Sequence, residues 1–248
     1  MFSLCFPLCV LCDSVVSFQE RERLMSKHWE RDLDNLQRHL MALAASVEEA
    51  IFKGAHSLQE RDPSLAREVV EGDAVIDQEE NYIENECLKM LALHQPVAID
   101  LRRIIVALKI NTDLERMADL AVNIAERALS LAELPRIAVP DKLQRMADST
   151  TAMVRQSLDA FVLLNTDQAR RVILLDDEVD RYNREIIEAL IVHMQQLPEQ
   201  VPACLAFFSA VRQLERIADH ATNIAEDVVY LIEGEIIRHH PMSMSERA

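Results

Sequence analysis

The sequence predicts an all-α fold of two tandem three-helix bundles, six long antiparallel helices in an internal repeat. Three observations carry this expectation. Glycine is only 3 of 248 residues and aromatics are 4%, against roughly 7% glycine in average chains, which disfavours sandwiches, propellers and Rossmann sheets. Apolar residues recur at helical spacing between a few sharp breaks. One segment of thirteen residues occurs twice, 100 residues apart.

The first helix is expected over 28–60, with Leu33, Leu36, Leu40, Leu43, Val47, Ile51 and Leu58 on one stripe. The break Arg61-Asp62-Pro63-Ser64 ends it, and a second helix over 64–93 repeats Val69, Ile76, Ile83 and Met90 every seventh residue. A third helix, 96–132, follows Leu93-His94-Gln95-Pro96. The segment from Leu134-Pro135 to Pro140-Asp141 reads as a linker, and the fourth helix over 141–165 carries Leu143, Met146, Val154, Leu158 and Phe161. Asn165-Thr166-Asp167 separates it from a fifth helix at 167–196, and Leu197-Pro198 to Pro202 opens the sixth at 200–234. Ser64 and Asp141 suit helix N-caps, and proline stops a helix because it lacks the backbone donor. Short connections make successive helices antiparallel neighbours. The repeats are thus expected over 25–134 and 141–235, as units that the linker lets respond separately, with the last eight residues as a frayed end. Residues 1–24 are apolar but interrupted by Pro7 and Asp13 and carry no basic residue before Arg21. They lack the charged start of a signal peptide and are short for a membrane span, so they are expected to be a disordered extension.

The formal net charge is −16. Such a surface disfavours nucleic acid and anionic membrane and favours cations or basic partners. Of five cysteines, three crowd residues 5–12, and Cys87 and Cys204 sit alone in helical patterns. They read as reduced core thiols of a cytoplasmic protein.

The repeat itself is Leu114 to Glu126 against Leu214 to Glu226, identical at ten of thirteen positions. The second and fifth helices align at an offset of 103, pairing Asp73 with Asp176, Asp77 with Asp180 and Ile83 with Ile186. Within the repeat, Glu115 and Asp119 are four apart, as are Glu215 and Asp219, so each pair shares a helix face. The apolar seam runs through them: Leu101, Leu108, Glu115, Val122, Leu129 in one copy and Val201, Phe208, Glu215, Thr222, Val229 in the other. A carboxylate at a seam position is costly to bury without a cation. Counting outward from the turns brings Asp73 and Asp77 level with Glu115 and Asp119, and Asp176 and Asp180 level with Glu215 and Asp219. Glu80 extends the first group, and Asn183 replaces it in the second. All-oxygen clusters of this kind suit divalent or iron ions, with Mg, Mn, Fe and Zn as the candidates. The competing readings are a solvated acidic face, or neutralisation by Arg116, Arg216, Arg181 and Arg184. His220 reads as an ordinary surface histidine and Arg102-Arg103 as a solvated turn. Nothing in the sequence marks a nucleophilic or acid–base site.

These segments, together with Leu91-Ala-Leu-His-Gln-Pro-Val-Ala, Asp100-Leu-Arg-Arg-Ile and the run Leu108 to Arg127, resemble the PhoU family of phosphate-specific transport system accessory proteins. The resemblance covers roughly 28–234; Ala118 and Ala218 stand where that family usually has glycine. It implies two three-helix bundles with the acidic motifs as metal sites. It also implies a non-enzymatic negative regulator of phosphate uptake and of the phosphate-starvation regulon, linking the ATPase of a phosphate ABC transporter to a sensor histidine kinase. Such a protein is cytoplasmic, reaches the membrane only through its partners, and can form a homodimer. A metal-dependent enzyme or metal-storage bundle is the alternative that the acidic clusters alone allow.

Overall fold

The structure, a computed structural model, describes residues 9–235. Six long helices account for nearly all of it: α1 (Cys9–Glu60), α2 (Pro63–His94), α3 (Ala98–Ala132), α4 (Leu143–Leu163), α5 (Thr166–Gln196) and α6 (Val201–Glu233), with one 3₁₀ turn at Pro198–Gln200. No described helix is long and apolar enough to cross a membrane.

The breaks fall where the sequence places them, but the caps differ. The N-cap of α2 is Asp62, whose carboxylate accepts from the backbone N–H groups of Ser64 and Leu65. Pro63 then occupies the first turn, where no donor is needed. At α4 the cap position is Lys142, without a side-chain bond, in place of Asp141. The larger difference is at α1, which begins at Cys9 rather than near His28. Between Cys9 and Trp29 there is neither proline nor glycine, so nothing in the backbone stops the helix from running on. The extension expected to be disordered is therefore helical from Cys9, while residues 1–8 lie outside the described residues, as does the frayed end expected over the last eight.

Helices α1, α2 and α3 pack mutually, as do α4, α5 and α6, and the two sets meet through α3 against α6 and α1 against α4. α3 is enclosed by α1, α2 and α6, and α6 by α4, α5 and α3. Such enclosure requires small side chains all round, and both helices are alanine-rich on their buried faces: Ala107, Ala118, Ala121, Ala125 and Ala128 in α3, and Ala203, Ala206, Ala210, Ala218, Ala221 and Ala225 in α6. On α1, Gly54 lies so close to α3 that a Cβ there would stand 3.1 Å from the Ala121 carbonyl oxygen. The halves also share local detail. Ser57 and Ser157, both buried, donate back to the carbonyls of Gly54 and Val154.

The two sets of helices pack directly on each other across α3 and α6. α3 and α6 run in opposite directions, and two polar side-chain pairs cross between them. His220 bonds Asp113 at 2.8 Å, with both side chains largely buried, and Lys109 donates to the buried Asp227 at 2.9 Å. His220 is thus an inter-repeat partner, not a surface histidine. Arg102 and Arg103 are likewise partly buried rather than solvated, and the Arg102 guanidinium lies against Gly234 at the end of α6.

A core continuous across α3 and α6 is expected to unfold in one step. The single tryptophan, Trp29, reports from the first half and circular dichroism from the whole, and their urea transitions should coincide. His220→Leu, which installs the residue of the other copy, strands a buried carboxylate and should lower stability by roughly 1–3 kcal/mol; an unmoved urea midpoint would show that the pair contributes nothing.

Candidate metal centre

The turn between α2 and α3 fixes the depth at which their carboxylates meet. Gln95 takes up a left-handed conformation at φ 46° and caps α2 through its N–H to the Leu91 carbonyl, and Ala98 follows at φ 50°. From that turn α2 and α3 run back side by side. Asp73, Asp77, Glu115 and Asp119 come together as the register predicts. Burial pushes the Asp73 carboxyl up, reinforced by the charges of Asp77 and Asp119. Burial likewise raises Glu115, with Asp119, Glu80 and Asp77 adding to it and Arg116 opposing. Glu80 is raised by burial and by Glu84 and Asp77.

The second copy gathers the same set more deeply. Asp176 is pushed up to about 7, by burial first and then by Asp219, Asp180, Asp177 and Glu215. Glu215 and Asp219 are both raised, chiefly by burial, and each feels Asp180. A carboxyl that stays protonated towards neutral pH marks a place where negative charge lacks a counter-ion.

The arginines expected to neutralise the clusters do so only in part. Arg181 pairs with Glu178. Arg212 does bond a cluster carboxylate, donating to Glu215 Oε1 at 3.0 Å. Glu215 Oε2 stays buried without a hydrogen-bond partner. The sequence reading also missed Asn111, whose amide donates to the Glu80 carbonyl at 3.0 Å and to its Oε1 at 3.2 Å. The available signal was the contrast between copies, since Val211 stands in the place of Asn111 and Thr112 in the place of Arg212.

Among the described residues, no three His, Cys, Asp or Glu side chains converge as ligands of a single ion. The donor chemistry nonetheless fits a hard cation: the groups are carboxylate oxygens, and one of them is buried with an empty lone-pair direction. Cys87, on the same stripe of α2 as Asp73 and Glu80, is raised to about 12 by burial and by Glu84 and Glu86. It stays a thiol and is a poor metal ligand.

The sequence model for the PhoU domain matches residues 40–128 and again residues 143–228. The chain belongs to the PhoU family. Curated relatives named phosphate-specific transport system accessory protein PhoU homolog include one from Pseudomonas putida, 38% identical over 87% of this chain and 84% of its own length. Another, from Aquifex aeolicus, is 39% identical over 84% of this chain and 95% of its own. The crystal structure of PhoU from Pseudomonas aeruginosa superposes with a TM-score of 0.79 at 37% identity, covering 84% of this chain and all of that one. The Streptococcus pneumoniae phosphate transport system regulatory protein PhoU gives 0.78 at 30% identity, covering 84% of this chain and 98% of its own. The six-helix PhoU fold is therefore shared along almost the whole described chain.

The raised carboxyls set a pH dependence in the metal-free protein. Unfolded, Asp176 titrates near about 4; folded, it holds its proton to about 7. Its contribution to stability is thus fully present below the unfolded value and lost as pH rises through the folded one. Asp176→Asn removes that loss. In the presence of chelator, the variant's melting temperature should gain on the wild type between about pH 4 and about pH 7. Melting curves that stay parallel over this range would show that Asp176 is not held protonated.

Proposed function

We propose that this chain is a cytoplasmic regulatory adaptor of phosphate uptake, acting as a negative regulator of the phosphate-starvation response. It links the ATPase of a phosphate ABC transporter to a sensor histidine kinase, and it meets the membrane only through these partners. The observation that carries this reading is the match of the PhoU domain to both halves of the chain, with relatives named as accessory proteins of phosphate-specific transport. An adaptor role needs no turnover, and the clustered acidic groups, half-buried at Asp73, Glu115, Asp176 and Glu215 and exposed at the other four positions, are read as cation sites that set the charge of the bundles. A homodimer is compatible with this role and is part of the proposal.

Under this reading Asp73, Asp77, Glu115 and Asp119 would hold metal in the first bundle, and Asp176, Asp180, Glu215 and Asp219 in the second. Mg²⁺, Mn²⁺, iron and Zn²⁺ are the candidate ions, and oxygen-only ligands favour the harder ones. What the ion supplies is charge compensation. The protein's part is to keep four carboxylates at one depth between two helices, where without a cation they repel one another.

Two measurements test the reading. Deleting the gene should switch on a phosphate-starvation reporter while phosphate is plentiful, and the full chain restored in trans should silence it; a reporter that stays off in the deletion strain, in a genome with no second family member, refutes the regulatory role. Stability should rise with metal, by roughly 2.7 kcal/mol at one hundred times the dissociation constant. Because α3 and α6 share one core, metal at either cluster should shift one common melting transition. Glu115→Ala with Asp119→Ala should raise the metal-free midpoint and shrink the metal-dependent rise. If chelator leaves the wild-type midpoint unmoved, the clusters do not hold metal.

A further inference from the structure

Where α1 and α4 meet α3 and α6, beside the start of α3 and the close of α6, the two repeats leave a cavity of about 230 Å³. Its floor is Leu36 and Leu40 of α1, Ala107 of α3, Phe161 of α4 and Leu231 of α6, so both halves build it. Arg103 stands on its wall, half-buried, with no hydrogen bond or ion pair to any described residue. Gln37 and Asp34 complete the polar rim, and Asp34 is exposed. The repeat shows that this opening is not forced by the fold. At an offset of 100, Ala203 stands for Arg103 and Phe207 for Ala107, and Phe207 is fully buried. At that mirrored junction Arg61 donates to the carbonyls of Leu131, Leu134 and Pro135, and Ile137 and Val139 lie against the core. One junction is thus packed shut by an aromatic ring and by the connection between the repeats. The other keeps alanine where the ring would stand, with an unpaired cation beside it.

We infer that this junction binds a small amphipathic acid, an apolar body of about seven or eight carbon atoms with one carboxylate head. Close-packed interiors seldom leave such space, and an apolar hollow with a few placed polar groups is the usual form of a small-molecule site. At roughly 30 Å³ for each group, the share of one water molecule, the cavity holds about that many atoms. The body fills the room left by Ala107. The head pairs with Arg103, whose planar fork matches a carboxylate with two parallel hydrogen bonds. Because helices of both repeats line the cavity, an occupant fastens one half to the other and binds only the folded chain.

The test is isothermal titration of the full chain with octanoate, alongside melting curves with and without it. Octanoate should bind one to one and raise the melting temperature. Each methylene removed from the acid should weaken binding about fourfold, whereas decanoate should bring no such gain because the cavity is full. Arg103→Leu should weaken octanoate by about tenfold or more, the order of a lost charge-assisted pair, and leave 1-octanol binding unchanged. Arg103→Lys should restore part of the loss. Ala107→Phe, which installs the residue of the other copy, should abolish binding of both, with circular dichroism confirming the fold. Should that variant misfold, Val162→Phe narrows the same cavity from its half-buried wall. No octanoate bound at millimolar concentration, undiminished binding by the Arg103→Leu variant, inorganic phosphate bound as tightly as octanoate, or a fourfold gain per methylene that continues through decanoate overturns the inference.

Discussion

The contact between α3 and α6 is the constraint on which the rest of the structure depends. Each of these helices is surrounded by three others, and a helix can be surrounded at close range only if most of its buried side chains are short. Alanine meets that need at little cost in backbone order, because it is also the best helix former. The near absence of glycine and the abundance of alanine are thus one solution. Gly54 is the exception that shows the rule, standing where a Cβ on α1 would press against the Ala121 carbonyl oxygen at 3.1 Å.

Once α3 and α6 are fixed, the depth of the acidic groups follows. Glu115 and Glu215 sit at seam positions of the enclosed helices; Asp73 on α2 feels Asp119 of α3, and Asp176 on α5 feels Asp219 and Glu215 of α6. The carboxyls of Asp73, Glu115, Asp176 and Glu215 are raised first by burial and then by neighbouring carboxylates. An acidic surface patch on a single helix would show neither effect to this degree, since water would screen it. The fold therefore holds these carboxyls in an arrangement that opposes their ionisation.

The six helices, their order and the level at which the carboxylates meet were legible in the sequence because they follow from periodicity and chain length. The apolar seam needed only counting, and the doubled thirteen-residue segment exposed the repeat. Other features were hidden because they depend on partners distant in sequence. Nothing near His220 announces Asp113, 107 residues away, and its equivalent, Leu120, suggested an idle position. The cap of α2 fell to Asp62 instead of Ser64 because Pro63 fits the first helical position, a choice settled by local geometry. The start of α1 was misplaced because the apolar stripe begins later than the helix itself.

The pairs that fasten α3 to α6 occur on one side of the repeat only. At the mirrored positions, Gln213 stands for Asp113 and Leu120 for His220, while Ser209 stands for Lys109 and Arg127 for Asp227. Each half is therefore written for the other. Two copies of the first half placed together would set Asp113 against Leu120 and Asp113 again against Leu120, leaving two buried carboxylates facing hydrocarbon. Two copies of the second would bring His220 to Gln213 and Asp227 to Ser209, without the cation of Lys109. The duplication has become a lock and key within one chain, in which neither half can substitute for its counterpart, and a half released by proteolysis would meet no copy of itself that satisfies its polar groups.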